Sequence, residues 1–136
     1  MSVRLAFVVL AVALLGGCGT IKNQQTLLQD TLEAYAAVIR WGNFEEAAAF
    51  LDPDVLKQHP ISALDLERYR QVRVTGYLEQ KAMAVGENEV RQLVEIGLVN
   101  VNSQSARSIL DRQLWRWDPK IKRWWLVSGL PDITTH

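Results

Sequence analysis

The sequence predicts an α+β domain: N-terminal helices packed on a curved, four-stranded antiparallel sheet, with a cleavable leader ahead of them. Three observations carry this expectation. Residues 5–15 are an unbroken apolar run, with Arg4 before it and Gly16-Gly17 behind it. Between residues 26 and 58 the apolar residues recur at helical spacing. Beyond about residue 67 they tend to a period of two, rich in β-branched and aromatic side chains and divided by turn residues.

A positive start, an apolar stretch of roughly 7–15 residues and a small-residue exit describe a secretory signal peptide. A membrane-crossing helix needs about 20 apolar residues, more than this run supplies. A buried N-terminal helix is the competing interpretation. The chain then divides into a leader (1–17), a short tether (18–25) and one α+β domain (26–136).

Leu15-Gly16-Gly17-Cys18 resembles the lipobox of bacterial lipoproteins, an aliphatic residue and two small ones before a cysteine. The resemblance implies cleavage between Gly17 and Cys18 and attachment of a diacylglyceryl group to the Cys18 thiol. Cys18 is the only cysteine, so no disulfide forms within the chain. One acyl chain gives marginal membrane binding, while two or three hold stably, at about 0.8 kcal/mol per buried methylene. Gly19, rather than Asp, follows the cysteine. By resemblance to enterobacterial sorting this favours the outer membrane, with the domain facing the periplasm. Basic and acidic residues number 15 each, and loss of Arg4 with the leader leaves the rest one charge acidic. Such balance argues against nucleic acid and leaves the lipid as the membrane contact.

Within the domain, Leu28, Leu32, Tyr35 and Ile39 form one helical stripe over 26–41, and Gly42 supplies a stop. Asn43 caps a second short helix, with Glu46 three residues on and Phe44, Ala47, Ala48 and Leu51 as its apolar face. Asp52-Pro53 opens a third helix, over 53–58, which His59-Pro60 ends. Turn signals at 86–88, 102–105 and 118–120 then separate strands at roughly 67–85, 89–101, 106–117 and 123–129. Connections this short make antiparallel hairpins. Gly76, inside the first strand, marks a bulge or bend.

The helical hairpin AYAAVIRWGNFEEAAAFLDPD, the long bent strands and the closing pair QLWRWDPKIKRWWLVSGLP resemble the nuclear-transport-factor-2-like superfamily. That resemblance implies the cone-shaped α+β fold shared with ketosteroid isomerases and scytalone dehydratases. Members with this fold are often lipoproteins or secreted domains without known activity, so the resemblance speaks to fold more than to function.

Four of the five tryptophans, Trp115, Trp117, Trp124 and Trp125, lie on the last hairpin. Pairing about Lys120 sets Trp115 opposite Trp125, with Trp117 on the same face. A tight 102–105 turn adds Gln92, Val94, Ile96, Leu98, Ile109, Asp111 and Gln113 to that face. Leu93, Val99, Leu110, Leu114, Trp124 and Leu126 then take the other, with Glu95 near Arg112. A slip of one residue exchanges the assignments. Two apolar faces exceed what one helical layer covers, so the second closes a homodimer or meets a protein partner. Trp115, Trp117, Trp125 and Gln113 are either core packing or the wall of a site for a small apolar or sugar-like ligand.

No catalytic signature is present. Asp111 is the candidate carboxylate, since an acid in an apolar cone is able to serve as general acid or base, as in the isomerases. Glu95 has Arg112 as an expected ion-pair partner. The isomerase chemistry also needs an oxyanion donor, and no motif places Tyr35, Tyr69 or Tyr77 in that role. His59 and His136 lack a second ligand at metal spacing, the serines near 103–108 lack a histidine, and no phosphate-binding glycine loop occurs. No metal or other cofactor is therefore expected. Lys120, Lys122 and Arg123 form a basic tip, either a solvated turn or a contact to anionic headgroups. The chain reads as a non-catalytic, membrane-anchored envelope lipoprotein that binds a protein partner or a small apolar ligand. The alternative is a small isomerase- or dehydratase-type enzyme using Asp111.

Overall fold

The computed structural model describes residues 23–135. The expected leader and Cys18 lie outside them. Helix α1 (Gln24–Arg40) starts slightly before the apolar stripe because Asn23 caps it, its side chain accepting from the Thr26 amide at 2.8 Å. Asn43 caps α2 (Phe44–Ala47) through the Glu46 amide, and a 3-10 turn, Ala48–Phe50, follows. Asp52 caps α3 (Pro53–Gln58), with proline where its missing N–H leaves nothing unsatisfied.

The next element departs from expectation. Residues 67–70, read above as the start of a strand, belong to helix α4 (Ala63–Arg70). Ser62 and Asp65 form a reciprocal capping box, and Arg68 and Arg70 occupy the last turn, where cations complement the helix dipole. The Ser-x-x-Asp spacing was visible in the sequence, and it outweighs the alternation beyond it.

Five strands follow: β1 (Val72–Glu79), β2 (Met83–Gly86), β3 (Glu89–Asn100), β4 (Ala106–Asp118) and β5 (Arg123–Leu126). All their pairings are antiparallel, in the order β1-β3-β4-β5, and β2 pairs with β3 along the edge that β1 uses. The sheet is thus four strands wide, its first strand interrupted at 80–82.

A bulge at Thr75 sets the curl of β1: Val74 pairs with Leu98, but Gly76 already pairs with Gly97. Simple alternation would place Leu78 inward with Val72 and Val74. The extra residue turns Tyr77 inward instead and leaves Leu78 67% exposed. Gly97 permits this approach, since a Cβ there would stand 2.8 Å from the Thr75 hydroxyl oxygen and 3.3 Å from the Gly76 amide nitrogen.

Helix α1 lays Leu28, Leu32, Tyr35 and Ile39 on the inner sheet face, against Val94, Ile96, Leu98, Trp115 and Leu126. The segment after β5 folds back to close the core. Pro131 and Ile133 are buried, the Tyr69 hydroxyl donates to the Pro131 carbonyl at 3.0 Å, and Arg107 donates to the Ile133 carbonyl.

The β3–β4 pairing, with Gln92 opposite Gln113 and Ile96 opposite Ile109, puts the residues expected together on one face. The last hairpin differs by one residue. Trp115 faces Leu126, Arg116 faces Trp125 and Trp117 faces Trp124. Asp118 pairs with Arg123, so the axis of the turn falls between Lys120 and Ile121 rather than on Lys120. The Asp118 side chain accepts from the Lys120 amide, and Lys122 takes a left-handed φ of 53° to complete the loop. Trp124 therefore joins the inner face, and Trp125 leaves it.

Candidate functional site

The inner face carries a chain of polar side chains within the core. The register of β3 and β4 places Gln92, Asp111 and Gln113 there, and the β1 bulge adds Tyr77. The Gln113 Nε2 donates to Asp111 Oδ2 at 2.9 Å and to the Tyr77 hydroxyl at 3.0 Å. Its Oε1 accepts from the Trp115 indole at 3.1 Å. The amide is thus committed on both ends, as a buried amide must be. Gln92 is held likewise, donating to the Gln80 carbonyl at 3.1 Å and to Glu79 at 3.3 Å. Arg40 closes one side, 5.1 Å above the Tyr77 ring and 3.6 Å from the Glu79 carboxylate.

Asp111 is 8% exposed, and no ion pair reaches it among the described residues. Burial pushes its carboxyl up to about 6, partly offset by the hydrogen bond from Gln113. The Tyr35 hydroxyl is buried with no hydrogen-bond partner among the described residues. Burial first, then the charge of Asp111, holds that phenol well above its ordinary value. Burial also raises Tyr69, followed by the charges of Asp65, Asp132 and Asp111, and it raises Tyr77, where the hydrogen bond from Gln113 opposes it and the charge of Asp111 adds to it. A carboxyl that exchanges its proton near neutrality therefore shares the core with neutral phenols. No sequence motif links Tyr35, Tyr77 and Asp111; the bulge and the helix–sheet packing bring them together.

The tryptophans divide. Trp115 meets Tyr35 edge-on at 5.2 Å and Phe50 at 6.5 Å. Trp117 packs on Trp124 at 5.4 Å, and the Trp124 indole donates to the Gln24 carbonyl at 3.0 Å. These three are core. Trp125, expected beside Trp115 and Trp117, lies on the opposite face with the Arg123 guanidinium 4.0 Å from its ring. The single wall of Trp115, Trp117, Trp125 and Gln113 is therefore not assembled, because the one-residue shift of β5 turns Trp125 outward.

The outer face is open. Leu78, Met83, Val85 and Leu110 are all exposed there or along the β2 edge. The expected Glu95–Arg112 ion pair does not form: Glu95 stands between Leu78 and Leu110 in the sheet. Beside it opens a cleft of about 580 Å³, floored by Met83, Leu93 and Leu114 and rimmed by Lys81, Arg91 and Arg112. Asp111 does not line this cleft. Of the three rim cations the sequence singles out Arg112 alone, as a partner for Glu95; Lys81 and Arg91 look there like ordinary solvated charges.

Among the described residues, no group of three or more His, Cys, Asp or Glu side chains gathers to hold a metal ion. No helix among them is long and apolar enough to cross a membrane. Compared with protein-family models and with curated proteins, the chain matches none.

Proposed function

We propose that the chain is an envelope lipoprotein, lipidated on Cys18 and sorted to the outer membrane, whose domain is a non-catalytic binding module of the cone-like, nuclear-transport-factor-2 type. One observation carries the binding function: the helices cover the inner sheet face, while the outer face leaves Leu78 and Leu110 in solvent. Helices on a curled antiparallel sheet with a bulged first strand support the cone-like assignment. The leader pattern and Leu15-Gly16-Gly17-Cys18 support the anchor. A short tether then holds the domain close to the bilayer.

A second function is favoured by a separate observation. Asp111, with its carboxyl near 6, and the unpartnered Tyr35 hydroxyl supply an acid–base group and a donor for isomerase- or dehydratase-type chemistry. Gln113, Trp115 and Tyr77 enclose that corner, which favours the binding function over it.

Two measurements test the proposal. Intact mass of the membrane-extracted protein should show an N-terminus at Cys18 carrying acyl mass, lost in Cys18→Ser; an unmodified chain refutes the anchor. In a host whose loss of this protein has a measurable phenotype, Leu78→Ser with Leu110→Ser should fail to complement, while Asp111→Asn complements. The reverse outcome assigns the function to the carboxylate.

A further inference from the structure

We infer that the outer-face cleft binds a free long-chain carboxylate, an acyl chain ending in a single anionic head. The inference rests on the domain being a binding module and names the ligand of its open face. The register produces a checkerboard: Arg91 stands opposite Leu114, and Leu93 opposite Arg112. Met83 pairs with Arg91 from the other side, and Lys81 precedes β2 at the rim. Leu93 and Leu114 are half-buried, so their side chains and the aliphatic stems of the arginines make an apolar floor beneath charged heads.

None of Lys81, Arg91 and Arg112 makes an ion pair or side-chain hydrogen bond among the described residues, and Arg116, nearby on the same strand face, shows the contrast by pairing with Asp52. Three uncompensated cations over one apolar floor favour an anion with an apolar body. The cleft volume of about 580 Å³ falls in the range of small-molecule sites, roughly 300–1,000 Å³. Backbone amides in the middle of β3 are engaged in the ladder, and among the described residues no helix N-terminus lines the cleft, so they supply none of the donors that favour phosphate. Arginine forks hold a carboxylate bidentately without such added donors.

The test uses membranes holding the full chain, diazirine-bearing palmitate as probe, and mapping of the photoadduct by mass spectrometry. The expected result is an adduct at Met83, Leu93 or Leu114 whose yield falls about tenfold or more in Arg91→Glu with Arg112→Glu, as expected for loss of charge-assisted contacts. Arg91→Gln with Arg112→Gln, checked by an unchanged melting midpoint, serves if charge reversal disturbs folding. Equal labelling by the matching fatty alcohol, by a diazirine phosphatidylcholine or preferentially by a lysophosphatidate would overturn the assignment, as would an adduct that survives the substitutions. Intact mass of the same sample reports the Cys18 anchor separately, so loss of the cleft and loss of the anchor are told apart.

Discussion

The two faces of strands β3 and β4 are built from alternate residues of the same segments, yet they follow opposite rules. Inward, Gln92, Asp111 and Gln113 are buried, and each finds a partner. Outward, Arg91, Glu95 and Arg112 stand in solvent, and none is paired among the described residues. Burial makes an unpaired polar group expensive, so the inner face had to become a closed hydrogen-bonded chain. Water satisfies the outer charges at little cost, which leaves them free to meet a ligand. One exception sits on each side. The Tyr35 hydroxyl is an inner group without a partner, and Arg116 is an outer cation paired with Asp52 at 2.5 Å. That pair is useful to the fold. Burial alone would raise the Asp52 carboxyl, but the hydrogen bond from Arg116 and the one from the Asp54 amide hold it below its ordinary value.

The contrast is broken most severely at Trp115. Trp115→Ala removes a fully buried side chain and the donor to Gln113, and should cost about 3–5 kcal/mol in denaturant unfolding. Leu110→Ala, on the outer side of the same strand, should stay within about 0.5 kcal/mol. Equal costs would mean that the outer face is covered in solution.

A smaller effect is expected at the bulge. Gly97→Val drives a side chain into Thr75 and the Gly76 backbone, and should cost about 1–3 kcal/mol. Thermal denaturation beside a Thr75→Ala, Gly97→Val double variant checks the cause. Partial recovery is expected, because the clash with the hydroxyl is removed while that with the backbone persists.

Asp111 gives the comparison its pH axis. Its carboxyl titrates near 6 when folded and near the ordinary value, about 3.9, when unfolded, so the folded state holds the proton more tightly. This contribution is fully present below about 4 and is lost as pH rises through about 6, for roughly 2–3 kcal/mol. Asp52 acts in the opposite sense, its lowered carboxyl stabilising the fold above its unfolded value and ceasing to do so as pH falls through the folded one. Asp111→Asn should therefore flatten the fall in stability between pH 4 and 6, read from urea unfolding across that range. An unchanged slope would place the carboxyl in contact with water.

Much of this molecule was legible from residue spacing. Leu28, Leu32, Tyr35 and Ile39 announced the core face of α1, Asn43 and Asp52 announced the next two helices, and Gly76 announced the bulge. The β3–β4 hairpin followed from its alternation, because a wrong register would bury Arg91, Glu95 and Arg112. Asp111 and Gln113 were placed correctly on one face for that reason. Helix α4 was legible too, in Ser62 and Asp65, although the alternating residues beyond it pointed to a strand.

What the sequence by itself determined are the elements and their periodicities, since caps, turn residues and apolar spacing act within a few residues of chain. Tertiary structure alone decided three things. The last hairpin is apolar on both faces, with Trp124 and Trp125 adjacent, so periodicity did not choose its register; packing of Trp124 on Trp117 and its bond to the Gln24 carbonyl did. The break between β1 and β2 and the meeting of Tyr77 with Gln113 depend on how the bulged strand lies along β3. The outer cleft depends on Arg91 and Arg112 finding no acid across the strands, a fact that exists only once distant segments are side by side.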